Sequence, residues 1–427
     1  MTSLKPIIGL TPVVALAAML AAAPALAEEI TVWDFKSGDP NLASYFDTVK
    51  STFEAAHPGV TVSYVMQPHD QYYTLLGTAL AADAGPDVFL MNGGAQAKAR
   101  LGSLLRLDDK APDLVAKLAG REEFQGPDGG LYALPITLQG FVVYYNRKLY
   151  AQAGLDPDKP PTTWAGLQQV CEAFKAKGGV PCFVMGNKEG FGAEFFFSAV
   201  AATSLTAEQQ ADFAAGRLKW SSPPIKAILQ AWVETGKAGW YQPGANSTAK
   251  FMDEYEMFMR GDGANTIGLL SDVAHWKQFG EMMGVEAVGV FRHPSPTVAA
   301  DKREGDPKIP VSGGIGYGVN RNSGKRDLAV DLVKTFASAG PIRTFVHDAG
   351  VVPADTTVTL DGLDNPALKQ IQPWLASAAA PTAHANSSAA ELEEWHRQSQ
   401  RLLNGETSVD AAAAALDAVQ ARAKPQM

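Results

Sequence analysis

Residues able to hold a small molecule recur at the ends of apolar runs. Trp33, Phe35, Lys36 and Asp39 end or follow ITVWDF, Gln67 and Asp70 follow VTVSYVM, and Asn92-Gly93-Gly94 closes PDVFLM. Gln139 lies in LPITLQG and Glu189 and Phe191 in GNKEGF; Asp272, His275 and Trp276 follow ANTIGLL, and Gly313-Gly314 opens GGIGYGVN. Asp, Glu, Asn and Gln exchange hydrogen bonds with hydroxyl groups, while aromatic faces cover apolar C–H surface. That combination suits non-covalent capture of a molecule with both hydroxyls and apolar faces. Each residue also has a plainer use. Trp33 and Trp276 could pack in a core, Lys36 and Asp39 could be solvated surface, Asp70 could cap a helix, and the glycines could only shape turns. Bond-breaking machinery is sparse. No G-x-S-x-G elbow, H-E-x-x-H helix or Walker A loop occurs, and the seven histidines lack metal-ligand spacing, so no cofactor and no metal are expected. Asp39, Asp70, Glu189 and Asp272 could still supply a pair of carboxylates, which leaves a secreted glycosidase as an alternative.

Strands and helices must bring these positions to one edge. ITVWDF (30–35) reads as a strand, and the segment up to Pro58-Gly59 puts Leu42, Tyr45, Phe46, Val49 and Phe53 on one helical face. VTVSYVM (60–66) is a second strand, followed by a helix to about Ala82 with Asp70 as its candidate N-cap. PDVFLM is a third strand, followed by a helix from about Gln96 to Leu105. This βαβαβ run implies an α/β fold with a parallel sheet covered on both faces, whose carboxyl ends are the usual place for ligands. LYALPI and FVVYYN read as short strands around Gly140. Thr162 or Thr163 opens a helix that Gly178 stops, and VPCFVMG (180–186) reads as a strand. Residues 204–260 read as mostly helical, ANTIGLL, VEAVGVF and GGIGYGVN as strands, and the chain beyond 326 as helical.

The chain, at 427 residues, is long enough for two domains. A formal net charge of −9 and a pI near 5.4 make nucleic acid an unsuitable partner. Near the N-terminus Lys5 precedes a mostly apolar stretch from Ile7 to Leu20, and Ala25-Leu26-Ala27 offers small residues for cleavage, so residues 1–27 read as a secretory signal peptide. The stretch is short, Pro12 and Pro24 interrupt it, and no cysteine follows to carry a lipid. An exported chain can hold a disulfide. Cys171 and Cys182 are expected to form one, because the helix before Gly178-Gly179 turns back into the segment holding Cys182; two buried thiols are the alternative.

Taken in order, TVWDF, FEAAHPGVTVSYV, ALAADAGPDVFLMNGG, GLYALPITLQGFVVYYNRKLY, PPTTW, GIGYGVNRNSGKRDLAVDLVKTF and RLLNGETSVDAAAAALDAVQ resemble the extracellular solute-binding proteins of family 1, the sugar-binding receptors of ABC importers. The resemblance runs from about Glu28 to about Ala421. It implies a two-lobed periplasmic binding fold with interdigitated lobes joined by hinge segments, a carbohydrate in the cleft, docking onto permease subunits, and a monomer in the periplasm. The loop after PDVFLM would lie on the cleft, so Asn92, Gly93 and Gly94 would face the ligand and leave it backbone donors and space. Gln139 stands where maltose-binding relatives hold a ligand-contacting carboxylate. Glu189 and Phe191 match a sugar-contacting acid and aromatic, and the region of Asp272 and Trp276 is where relatives place a tryptophan or polar group. The lobes are expected to comprise 28–138 with 291–339 and 139–290 with 340–427, crossing near Thr137–Gly140, Val290–Pro296 and Ala339–Thr344. A polyol, a sugar acid or a polyamine on the same fold is the nearer alternative.

Overall fold

The computed structural model describes residues 28–270 and 275–423 together with Thr2, and for Asp70, Lys250 and Phe251 the backbone alone. The expected signal peptide therefore lies outside the described residues. The strands are β1 (Glu28–Asp34), β2 (Val60–Met66), β3 (Val88–Asn92), β4 (Leu134–Pro135), β5 (Leu138–Asn146), β6 (Asn265–Leu269), β7 (Val288–Phe291), β8 (Ile309–Gly313), β9 (Ile315–Val319) and β10 (Ala379–Ala380).

Two sheets result, one in each lobe. The first has the order β2-β1-β3-β9-β4: β1 runs parallel to β2 and β3, while β9 is antiparallel to both β3 and β4. Val88, Phe89, Leu90 and Met91 are fully buried, as a strand covered on both faces requires. The helix Ala43–Ala56 buries the predicted Tyr45, Phe46, Val49 and Phe53, with Leu42 buried just before it. In the second sheet β5 is antiparallel to β6, β7 and β8, and β10 lies parallel beside β8.

The chain passes between the sheets twice within a few residues of one place. Ile136 N–H donates to Ile315 O (2.9 Å), Gly314 N–H to Thr137 O (2.8 Å) and Leu138 N–H to Val352 O (2.8 Å). Thr137 is fully buried and its Oγ1 accepts from Ile315 N–H at 3.1 Å. The first crossing is therefore where the sequence suggested, but the second falls at Gly313–Ile315 rather than 290–296. GGIGYGVN is not one strand: Gly313 ends β8 in one sheet and Ile315 begins β9 in the other. The third expected crossing is also displaced. Helix Ala339–Ala349 stays with the first lobe, stacking Phe345 on Tyr45 with ring centroids 4.2 Å apart. Pro341 sits in its first turn, where a missing N–H costs nothing, so it breaks no helix there. Within the segment 291–339, β8 pairs with β5 and β9 with β3, and residues 339–349 pack on the helix Ala43–Ala56.

Other expectations changed for local reasons. VPCFVMG makes only isolated bridges, because Phe183 N–H goes to Trp240 O while Val184 N–H goes to Asn265 O, splitting what would be one ladder. The helix expected from Gln96 to Leu105 stops at Lys98 and resumes as a single 3₁₀ turn, Leu101–Ser103. Helix Trp164–Lys177 matches its signals: Thr163 caps it through Gly166 N–H, and Gly178 ends it at φ 69°. Cys171 and Cys182 form the expected disulfide, S–S 2.02 Å. No helix among the described residues is long and apolar enough to cross a membrane.

Candidate functional site

Parallel pairing sets the carboxyl ends of β1, β2 and β3 side by side, facing the start of β9. Trp33 is half-buried, and its carbonyl accepts from Tyr72 OH at 3.0 Å. Phe35 lies edge-on to Tyr72 (5.0 Å) and His69 (4.7 Å), with the Lys36 ammonium 5.7 Å from its ring centre. Between them Asp34, which the sequence reading passed over, is fully buried. Its Oδ1 accepts from Lys36 N–H (2.6 Å) and Ser37 N–H (2.5 Å), and Oδ2 has no partner. Burial raises the Asp34 pKa, against the pull of those hydrogen bonds. Half-buried Gln67 joins the same turn by donating its N–H to Asp34 O at 2.8 Å. Asn92 is half-buried, with its N–H on Tyr73 OH at 2.9 Å. Asp39 is exposed and caps the 3₁₀ turn Pro40–Leu42. The N-cap position of helix His69–Ala81 is held by Pro68, with no side-chain capping bond, and not by Asp70, whose side chain lies outside the described residues.

The glycine loop departs from expectation. Gly93 N–H donates to Gly314 O (2.7 Å) and Gly94 N–H to Glu123 O (2.9 Å), so both donors are engaged within the protein. The space is filled too: a Cβ on Gly93 would stand 2.6 Å from Gly313 O, and one on Gly94 (φ 74°) would collide with Ala385 O. These glycines let backbones approach where the lobes meet. Gly313 and Gly314 do the same, with Gly120 O and Thr137 Oγ1 where their Cβ atoms would be.

On the second lobe, Gln139 is half-buried and pairs with Ser312, while Glu189 and Phe191 are half-buried at the entry to helix Phe191–Ser204. Asp272 lies outside the described residues. Trp276, expected against a ligand, is buried in the core instead, its Nε1–H donating to Gly350 O at 3.2 Å. His275 is fully buried and accepts from Leu269 N–H at 2.9 Å.

One polar grouping of the second lobe contains residues the sequence reading did not single out. Glu194, on the Phe191–Ser204 helix, lies 2.5 Å from His396 Nε2 through Oε1 and 3.7 Å from His384 Nε2 through Oε2. Gly190, at φ 83°, leaves room for the His396 ring where a Cβ would collide with it. Ser198 Oγ sits 2.7 Å from His384 Nδ1 and accepts from His384 N–H at 3.2 Å. Burial lowers the His384 pKa, only partly opposed by Glu194. Ser198 is fully buried in its helix, so its hydroxyl holds His384 and does not meet a substrate. Aromatic rings line this grouping: Phe191 to His396 (6.4 Å), Phe191 to Phe195 (6.2 Å), Phe195 to Phe141 (4.5 Å) and Phe141 to His384 (5.7 Å). The signal for it was one acid in an otherwise apolar helix, FGAEFFFSAVAATS.

The 3₁₀ turn Ala383–Asn386 carries this wall to the first lobe. Lys98 Nζ donates to Asn386 Oδ1, and Asn386 Nδ2 donates to Glu123 Oε1 at 3.4 Å. Glu123 is buried, its Oε2 has no partner, and burial raises its pKa while Lys98 opposes the rise. Among the described residues no group of three His, Cys, Asp or Glu side chains is placed to hold a metal ion.

Comparison with known proteins matches residues 39–341 to the family model of bacterial extracellular solute-binding proteins. A binding protein of Brucella abortus is 29% identical over 148 residues, 32% of this chain and 33% of its own length, so the match spans about a third of that relative. The sn-glycerol-3-phosphate-binding periplasmic protein of the same species is 36% identical over 59 residues, 14% of each chain. Among solved structures, a chitin oligosaccharide binding protein superposes with a TM-score of 0.80 at 23% identity, covering 94% of this chain and 100% of its own.

Proposed function

The chain belongs to the bacterial extracellular solute-binding proteins, and from that premise we propose that it is the periplasmic receptor of an ABC importer for a carbohydrate. The solute is held between the lobes, which close about the strands near Thr137 and Gly314, and the closed form docks onto the membrane permease. It acts as a monomer and turns nothing over.

What supports this reading is the make-up of each lobe. In the first, Trp33, Phe35, Lys36, Gln67 and Asn92 are half-buried at or just after strand ends. In the second, the rings of Phe191, Phe195 and Phe141 follow one another, and Gln139 and Glu189 are half-buried. Aromatic faces cover sugar C–H surface, and the polar tips meet hydroxyls. The structural similarity to a chitin oligosaccharide binding protein agrees with it.

The test is a thermal-shift and calorimetry screen with chitobiose, xylobiose, maltose, stachyose and tagatose, and with sn-glycerol 3-phosphate as the competing class. A sugar at a hundred times its Kd should stabilise the protein by about 2.7 kcal/mol. Chromatography should recover it unchanged. Hydrolysis of the bound sugar would replace the receptor with an enzyme, and a response to glycerol phosphate alone would replace the carbohydrate.

A further inference from the structure

Two polar groups, one in the second lobe and one near the meeting of the lobes, each have an atom without a hydrogen-bond partner among the described residues. The first such atom belongs to His396. Its Nε2 faces the Glu194 carboxylate at 2.5 Å, so that nitrogen carries the proton. In the neutral imidazole the other nitrogen, Nδ1, is then an acceptor, and among the described residues it makes no hydrogen bond. The ring is fixed by Gly190 beneath it and stands beside Phe191, with about a quarter of the side chain exposed (27%). His384 is different. Its backbone N–H enters Ser198 Oγ, so the serine proton points to Nδ1 and Nε2–H turns toward Glu194. One carboxylate therefore sets the tautomers of two rings.

The second acceptor is Glu123 Oε2, which has no partner although the residue is only 5% exposed. It stands 3.2 Å from where a Cβ on Gly94 would lie, beneath the loop that ends β3. A buried polar atom without a partner costs about 1–3 kcal/mol, which a ligand donor would recover. Asn386 bonds Glu123, and His384 two residues earlier faces Glu194, so a single 3₁₀ turn joins the two acceptors.

Resting on the receptor reading above, we propose that His396 contacts the ligand, that Glu194 is its positioning residue, and that with Glu123 they make this end of the cleft a reader of hydrogen-bond donors. The ligand class is then an uncharged polyhydroxylated molecule. A phosphate or carboxylate offers acceptors to these groups and meets two buried carboxylates of like sign. Two cations of the first lobe are already engaged: Lys98 is bonded to Asn386, and Arg100 to Gln96 with its guanidinium 4.5 Å over the Tyr73 ring; Lys36 stands over Phe35, on the strand-end side of the lobe.

The test measures Kd for the same neutral saccharides and for sn-glycerol 3-phosphate, in the wild type and in His396→Phe, His396→Gln, Glu194→Gln and Glu123→Gln. His396→Phe keeps a ring and removes the acceptor, and should weaken saccharide binding about tenfold or more, whereas His396→Gln should recover much of the loss. Glu194→Gln should weaken binding similarly and move the His396 imidazole ¹⁵N resonances; moved resonances with unchanged affinity would mean that Glu194 positions nothing the ligand meets. If Glu194→Gln does not fold, the two His396 variants decide. A saccharide that binds the wild type and His396→Phe equally overturns this inference and leaves the carbohydrate receptor standing. Tight binding of glycerol phosphate with no saccharide response overturns both, as does a panel in which no saccharide binds.

Discussion

Glu254 offers a direct test of how burial sets protonation in the second lobe. It lies in helix Lys250–Arg260, only 2% exposed, where Oε2 accepts from Gly186 N–H at 2.8 Å and Oε1 from Thr266 Oγ1. Beside it is a cavity of about 20 Å³ lined by Val184, Met185, Phe195, Tyr241, Ile267 and His293, room for roughly one water molecule. Burial pushes the Glu254 pKa from 4.5 up to about 8, more than its two hydrogen bonds hold it down. The folded protein therefore keeps a proton on Glu254 between those values while the unfolded chain does not. The stability this contributes is fully present below pH 4.5 and is lost as the pH rises to about 8. At about 1.4 kcal/mol per pH unit the loss is roughly 5 kcal/mol. Glu254→Gln has no proton to lose and can still accept from Gly186 N–H. Urea unfolding of both proteins at pH 5, 6.5 and 8, with the disulfide intact, should show the variant gaining on the wild type by about 1.4 kcal/mol per unit. Its sugar affinity should stay the same. Parallel stability profiles would show that the buried carboxyl ionises without cost and would refute the reasoning.

His293, on the same cavity, should act in the opposite direction. Burial lowers its pKa from 6.5 to about 4, so its contribution is complete above 6.5 and lost as the pH falls toward 4, roughly 3 kcal/mol over that range; His293→Gln should flatten the acid limb in the same urea series. Replacing Cys171 and Cys182 together by alanine reopens a loop with sequence separation 11 and should cost about 2–3 kcal/mol, read as a lower urea midpoint with m equal to or slightly above the wild type's. Gly94→Ala should disturb the meeting with Ala385 O, so small-angle scattering with saturating sugar should show less compaction than wild type; equal compaction would mean that this contact is not needed for closure.

Local periodicity made the first lobe readable, because each of β1, β2 and β3 carries its own signal and a following helix. Val88 to Met91 suited a doubly covered strand and the face Tyr45, Phe46, Val49, Phe53 an inward-turned helix, and all of them are buried. Non-local choices were another matter. β8 reads IPVSG, where Pro310 argues for a turn, yet it pairs with β5 through Gly140 and Val311 because those strands meet beside Thr137. Nothing within a few residues of Gly313-Gly314 tells which side of the glycine pair belongs to which sheet.

The site divides along the same line. Strand-end candidates such as Trp33, Phe35, Gln67 and Asn92 could be found because the end of a strand is visible in sequence. What each faces could not, and so the glycines at 93 and 94 looked like open space when they are where two backbones touch. Glu194, His384 and His396 come from two helices and a 3₁₀ turn far apart in the chain, and each alone resembles an ordinary surface or core residue. Their common feature is physical. A carboxylate in a helix as apolar as FGAEFFFSAVAATS must find partners to be buried at all, and the two histidines are those partners. An acid isolated in an apolar helix is therefore a signal that partners exist, though only the folded chain names them.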